Sequence, residues 1–557
     1  MADKEKLLSH FYVKLSGQNA PDDFLRDMLN VSIESSLHLP DVATLALHDA
    51  RLKWIDHESL LPGKTLEIAA KLGTSEQTIF DGEIIEIEPE FAADTHRLMV
   101  RAFDRLHRLA RGRHVRTFLN ITDGDLAQKL AAEVGLAAQV GPTPEVHPFV
   151  FQTNQTNLGF LQGRAAALGF LLFVRGKTLH FEPPKPSGGA NEVQWGQTLS
   201  EFRPHMTTVQ QLTGVTARGW DIKEKREIIG KAQQDGVAPE IGESRSGGAL
   251  AQEAFRLNAT TLVADRPIRT QTMADKIAQA TADQHGGGFV EAEGTCGGTP
   301  TISAGSPLKI SNVGDRFSGT YFVTSATHNY SAEQGYATHF NVSALQPSTF
   351  LSLMPQEASS PVPPGVVIGI VTDNNDPDNL GRIKVKYPWF SNDHASDWAR
   401  IVSIGGGPKR GMQFIPEIND EVLIGFELGD MHHPYIIGGL WNGKDKPPLP
   451  TSKVVSGSNV INRVVYSRKG HHLDFFDDVG PPGHILIETW KEQLSVKLDD
   501  TEKLIRIKTR QHTVTINDQS NNITVDCGGD LTITAAGQIS ITGVAGVNIQ
   551  GAIVKIN

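Results

Sequence analysis

The segment Asp373-Asn374-Asn375-Asp376-Pro377-Asp378-Asn379 has the density of oxygen donors found in a calcium loop. A helix–loop–helix calcium site needs glycine at its sixth position, and Pro377 stands where an oxygen ligand is required. The stretch therefore reads as a polar turn. His432-His433 offers two imidazoles, but neighbours in a strand point to opposite faces and no further ligand is spaced nearby. His471-His472 reads the same way. Gly405 to Gly411 is glycine-rich without the Lys-Ser/Thr spacing of a phosphate-binding loop, so it fits a tight connection between strands. Glu243-Ser244-Arg245-Ser246-Gly247 misses the pattern of a nucleophile elbow. Cys296 and Cys527 are the only cysteines, too few for a disulfide framework or a four-thiolate zinc site. Cys527, beside Val525, reads as a packed or turn thiol. Carboxylates are plentiful, yet no feature picks out a general acid and base pair. The expectation is no catalytic residue, no metal site and no cofactor.

What remains is architecture. Hydrophobic residues make up 39% of the 557 and charged residues 21%, enough apolar material for several cores. Acidic residues outnumber basic ones 63 to 52, which argues against nucleic acid as the main partner. The first residues mix charges without an apolar core, so the reading is a protein made in the cytoplasm without a signal peptide. No run of about 18 apolar residues marks a membrane span.

Residues 1 to about 110 alternate with a period of two, as in TIFDGEIIEIEPEF, where Ile85 and Ile87 share a face. Two short helices follow. Thr122 or Asp123 can cap DLAQKLAAEVG, with Leu126, Leu130 and Val134 on one stripe, and Asn157 can cap LGFLQGRAAALG, which Gly169 ends. A hairpin turns at Arg175-Gly176. Residues 236–250 read as a mobile loop. A faint echo links Gly82–Ile84 and Val100–Ala102 to Gly319–Tyr321 and Val342–Ala344, as if two similar hairpins recur. Four prolines between 355 and 364 mark a stiff linker. Beyond it, about five short strands over some 85 residues are the size of a small closed barrel.

The C-terminal residues carry the clearest pattern. Pairs of apolar β-formers separated by one residue recur as Ile505/Ile507, Val514/Ile516, Ile523/Val525, Leu531/Ile533, Ile539/Ile541, Val547/Ile549 and Val554/Ile556. Turns rich in Gly, Asn and Asp separate them. This is the signature of a repetitive β-solenoid. Two inward side chains per strand cannot build a core alone, so the reading requires three chains around one axis. At about 4.7 Å per rung, seven rungs make a narrow rod about 30 Å long.

The barrel segment resembles the VgrG-type spike proteins of contractile injection systems. Gly369-Ile370-Val371-Thr372-Asp373, Asn379-Leu380-Gly381-Arg382-Ile383, Gly411-Met412-Gln413-Phe414-Ile415-Pro416-Glu417, Glu421-Val422-Leu423-Ile424-Gly425-Phe426-Glu427 and Pro434-Tyr435-Ile436-Ile437-Gly438 match that family in order and spacing. Ser467-Arg468-Lys469-Gly470-His471-His472-Leu473 resembles the junction to its β-helix, and Phe317 to His328 resembles its hub. The resemblance implies a mainly β protein: phage-hub-like β-barrel domains with short helices, an OB-fold barrel, and a C-terminal triple-stranded β-helix formed by a trimer. The implied domains are a hub of two barrel-like parts over 1–350 with a helical insert at about 115–175, a linker over 351–364, the OB-fold barrel over 365–447, and junction plus spike over 448–557. Implied partners are two further copies, inner-tube and baseplate proteins, a PAAR-like tip protein on Val554, Ile556 and Asn557, effector cargo and the target envelope, with the particle released or acting outside the cell. Neither an inserted lysozyme domain near Pro450 nor an effector domain after Asn557 is expected. The short loops and short β-helix lean towards extracellular phage-tail-like particles rather than type VI secretion. The competing readings are an envelope- or peptidoglycan-degrading tail enzyme and a glycan-binding adhesin.

Overall fold

Alternating apolar residues over the first hundred positions can only be satisfied by strands that share one buried face. The computed structural model realises this as one long antiparallel sheet. It describes residues 10–556 apart from 73–74, 93–95, 186–190, 222–223, 234–238, 344–364, 389–394, 478–479 and 481. The proposed linker over 351–364 and the terminal Asn557 therefore lie outside the described residues. By its contacts the chain divides into a unit over 1–440 and a unit over 441–557.

In the first unit an eleven-stranded sheet runs from Leu199–Met206 to Gln18–Asn19. Its central junction pairs Ser325–Ser331 with Met28–Ser36, Ser325 opposite Ser36 and Ser331 opposite Asn30, so residues 289 to 301 apart in sequence share one ladder. Val31, Ile33, Leu45, Leu47, Ile68, Ile84 and Val100 fill one core beneath it. Tyr321, Phe340, Val290 and Leu308 fill a second. A bulge between Ile84 and Glu86 shifts the register, so Ile84 and Ile87, rather than Ile85 and Ile87, pack inward.

The helical insert follows its caps. Thr122 and Asp125 form a reciprocal capping box on Asp123–Glu133, which buries Leu126 and Leu130. Thr156 caps Asn157–Leu168 in place of the expected Asn157, whose buried amide instead accepts from Arg116 and Gln152. Gly169 ends this helix at φ 68°, the left-handed conformation that glycine adopts without strain. Among the helices that were not anticipated, two are long enough to matter for packing. Gly247–Phe255 begins inside the segment read as a loop, and Gln271–Gly286 packs Ala274, Ile277 and Ala278 into a third core. The hairpin echo fails as well. Strand Gly319–Phe322 and strand Gly335–Val342 lie in different sheets, and the hairpin partner of the latter is Ser325–Ser331.

Strands Lys384–Lys386, Val367–Asp373, Glu421–Glu427, Asp430–Gly439 and Arg400–Ile401 form a five-stranded sheet. A bridge between Ile383 and Ala399 joins its first and last edges and closes it into a barrel. Val371, Ile383, Val385, Val422, Ile424 and Ile436 fill the interior. Gly369 lies against Ile424, leaving no room for a Cβ.

In the second unit, strands Asn462–Tyr466, His472–Phe476, His484–Glu488, Ser495–Asp499, Leu504–Lys508, His512–Asn517 and Asn522–Cys527 form a seven-stranded antiparallel meander.

Candidate assembly interface

The register of the meander sorts its side chains into two faces. One face carries two continuous files: Leu473, Ile487, Val496, Ile507, Val514, Val525, and Phe475, Ile485, Leu498, Ile505, Ile516, Ile523. Every member is apolar. The opposite face is mostly polar, with His472 beside Glu488, Lys497 paired to Asp499 at 2.6 Å, and Arg506 opposite Lys497 and Thr515, while Phe476, Leu486 and Leu504 also lie on it. Tyr466 stacks flat on His472, ring centroids 4.6 Å apart. A sheet of this kind is built to bury one face.

The apolar face is uncovered. Phe475, Ile487, Leu498, Ile507 and Val525 are all exposed, and Ile523 is 70% exposed. An isolated soluble chain rarely leaves so continuous an apolar surface open to water.

Past Cys527 the chain changes character. From Gly529 to Ile556 the described residues form no strand, and their one backbone–backbone hydrogen bond runs from Gly546 N to Gly543 O. Leu531, Ile533, Ile539, Ile541, Val547, Ile549, Val554 and Ile556 all stand exposed, Ile556 at 88%. The expected rungs thus fall into two classes. Ile505/Ile507, Val514/Ile516 and Ile523/Val525 sit opposite one another in an intrachain ladder, whereas the four later pairs have no intrachain ladder. Polypeptide with alternating apolar residues and unpaired N–H and C=O groups has a strong requirement for neighbouring strands. The same pattern also runs earlier than the sequence reading took it, through Ile485/Ile487 and Val496/Leu498.

The residues weighed for chemistry have structural work. Arg382 occupies the centre of the Asp373–Asn379 turn. Its guanidinium donates to Asp376 at 2.6 and 3.0 Å and to Asp378 at 2.7 Å, while Leu380 N donates to Asp376 at 2.9 Å. Hydrogen bonding to Arg382 holds the Asp376 carboxyl well below the usual range. The guanidinium of Arg382 supplies the positive charge at the centre of this loop. His432 and His433 both turn Nδ1 to Asp430, at 2.6 and 3.2 Å, and His432 Nε2 accepts from Phe151 N at 3.0 Å. Burial opposes ionisation of Asp430, but these imidazole bonds hold its carboxyl well below the ordinary value. His432 thus ties the barrel to strand Val146–Gln155, where Phe149, Phe151 and Met431 pack together. Ser246 caps helix Gly247–Phe255 by accepting from Ala249 N, and Glu243 pairs with Arg245 at 2.8 Å. Cys527 Sγ lies 3.3 Å from Asp530 O. Among the described residues no three His, Cys, Asp or Glu side chains converge as a metal would need, and no helix is long and apolar enough to cross a membrane.

The family model of the Alg8 N-terminal domain matches residues 5–332, more than half of the chain. The chain belongs to the Alg8 N-terminal domain family. Residues 367–441 of this Alg8-family chain match the type VI secretion system/phage-baseplate injector OB domain. The type VI secretion system spike protein VgrG3 of Vibrio cholerae serotype O1 is 29% identical over 135 residues, 23% of this chain and 13% of that protein. The spike protein VgrG5 of Pseudomonas aeruginosa is 32% identical over 133 residues, 22% of this chain and 16% of that protein. The matched stretches span less than a fifth of these curated relatives. The lidded Francisella PdpA–VgrG complex shares the fold with a TM-score of 0.52 at 9% identity, covering 94% of this chain and 81% of that one. The chain is mainly β, and its five-stranded barrel coincides in sequence with the match to the injector OB domain.

Proposed function

We propose that three copies of this chain assemble into the hub and spike at the tip of a contractile injection system, and that the work is mechanical rather than catalytic. The observation that carries this reading is the two-file apolar face of the meander, followed by a tail whose strand-forming backbone is unpaired within one chain. Three meanders, face to face, would bury those files, and three tails would supply each other's ladders as a triple-stranded β-helix. Leu531, Ile533, Ile539, Ile541, Val547 and Ile549 would then join Val514, Ile516, Ile523 and Val525 as the spike core. Each fully buried aliphatic side chain contributes about 1.5–3 kcal/mol, so the stabilisation rises steeply with the length of continuous contact.

In this arrangement residues 1–350 seat on the hexameric inner tube and baseplate, residues 365–447 form a collar, and residues 448–557 project as a puncturing needle. Val554, Ile556 and Asn557 would meet a PAAR-like tip protein, and effector cargo would travel on the same particle into the target envelope. The spike relatives and the shared fold support this placement outside the producing cell.

Light scattering after size exclusion tests the reading. The full chain should elute with about three times the mass of one 60.5 kDa chain, and a chain ended at about residue 450 should lose most of that association. A stable monomer at micromolar concentration would overturn it.

A further inference from the structure

One segment of the barrel turns its apolar side chains to water. Strand Arg400–Ile401 leads into residues 402–415, all of them exposed, among them Val402, Ile404, Met412, Phe414 and Ile415. The backbone of this segment is nonetheless defined. At one root Val402 N donates to Ile436 O at 2.9 Å, and at the other Asn374 Nδ2 donates to Pro416 O at 3.1 Å. Between the roots the chain folds back on itself as an arm. Met412 N donates to Ile404 O at 3.0 Å, Ser403 Oγ donates to Met412 O, and Gly407 and Arg410 exchange backbone bonds at 3.2 and 3.3 Å. Gly411 stands at φ 126°, and a Cβ there would lie 3.2 Å from Gly405 O, so the close return needs glycine. Ile404 is 74% and Phe414 64% exposed on this arm. A lone two-stranded hairpin is marginal in water unless its side chains meet another surface.

The outer wall of the same barrel offers a surface of matching kind. Ile368 stands opposite Leu423, and Leu423 opposite Gly438. Ile437, at the bulge beside them, is exposed, as is Ile368, and a side chain at Gly438 would project into open space. The result is a shallow apolar strip floored by glycine. Strand Glu421–Glu427 gives it a length of about 23 Å, and an arm of six or seven residues per side reaches about 20 Å. Charge matches as well. Lys409 and Arg410 lie at the tip of the arm, while Asp373 and Asp420 lie at one end of the strip and accept from Asn375 N and Glu417 N. Among the described residues none of these four forms an ion pair.

Within one chain the arm and the strip stay apart, since Ile404, Met412 and Phe414 are exposed and so are Ile368 and Ile437. Two such surfaces on one chain make a heterologous contact between copies, which either closes a ring or runs on as a filament. We propose that the arm over 402–415 lies on the outer strip of the barrel of a second copy, and that three such contacts close a ring of barrels. The inference rests on the trimeric reading above, because the threefold burial of the meander is what selects the ring. It adds a contact that the spike itself does not make. Ile404, Met412 and Phe414 are its anchors, and Lys409 and Arg410 set its direction by meeting Asp373 and Asp420 of the second copy.

Photocrosslinking of the full chain at micromolar concentration, with Phe414 replaced by p-benzoylphenylalanine, tests the contact. Denaturing electrophoresis should show chains joined in twos and threes, and peptide mapping should place the adducts within 366–370 or 423–438. Gly438→Arg has open space in its own barrel, so it should abolish those adducts while thermal unfolding stays unchanged. Ile404→Ser with Met412→Ser alters two side chains that are exposed in their own chain, and should weaken association by more than about tenfold on dilution. Either variant suffices if the other fails to fold. A trimer by light scattering whose chains are not joined, or whose adducts map elsewhere, would overturn the arm contact and leave the spike reading standing. Adducts and association unchanged in the variants would overturn it too. A monomer by light scattering would overturn both readings together.

Discussion

Strand Glu421–Glu427 of the barrel and strand His512–Asn517 of the meander both present a valine and an isoleucine two residues apart, Val422/Ile424 and Val514/Ile516. In the barrel both are fully buried, and in the meander Ile516 is 41% exposed. Local pattern is the same in the two places, so it cannot explain the difference. The barrel closes on itself through Ile383 and Ala399, and its inner face meets other inner faces of the same chain. The meander is an open sheet whose apolar side stands exposed among the described residues. Alternation chooses strand and face, whereas closure decides whether one chain can finish its own core.

Breaking the open side should have the largest effect. Ile487→Asp with Ile507→Asp places two carboxylates in the middle of one apolar file, and each costs several kcal/mol when buried unpaired. Association should weaken by more than about a thousandfold, read as a fall in mass by light scattering, while the melting of the hub and barrel stays unchanged. A change in hub melting would mean that the two regions do not differ as described. The closed side should respond in the opposite sense. Arg382→Met leaves the buried Asp376 carboxylate without its partner and should destabilise the barrel by about 3–5 kcal/mol. Thermal unfolding would report that loss, with the mass of the assembly retained below the transition.

Much of this was legible in the sequence because it rests on period. The barrel strands, the capped helices at Asp123–Glu133 and Asn157–Leu168, and the apolar pairs after Ile505 all announce themselves within a few residues. What was missed depends on distance. Val496/Leu498 precede Ile505/Ile507 by nine residues, on the repeat, but Ile485/Ile487 precede Val496/Leu498 by eleven, where a longer turn hides the same two files. Helix Gln271–Gly286 has Thr270 as its cap and Ala274, Ile277 and Ala278 inward, a stripe weakened by its many small residues. The ladder between Ser325–Ser331 and Met28–Ser36 joins segments about 300 residues apart, and no local signal marks such a pairing. The Asp373–Asn379 segment was read as a polar turn, but the occupant of its centre, Arg382, emerged only from the fold.

Amide exchange over residues 531–556 of the full chain, at micromolar concentration, tests the central claim most directly. One chain offers these amides almost no backbone partners, so any protection must come from other copies. The account predicts slow exchange at the amides flanking Leu531, Ile541, Val547 and Ile549, lost together when Ile487→Asp and Ile507→Asp are introduced. Uniformly fast exchange across the tail would contradict it.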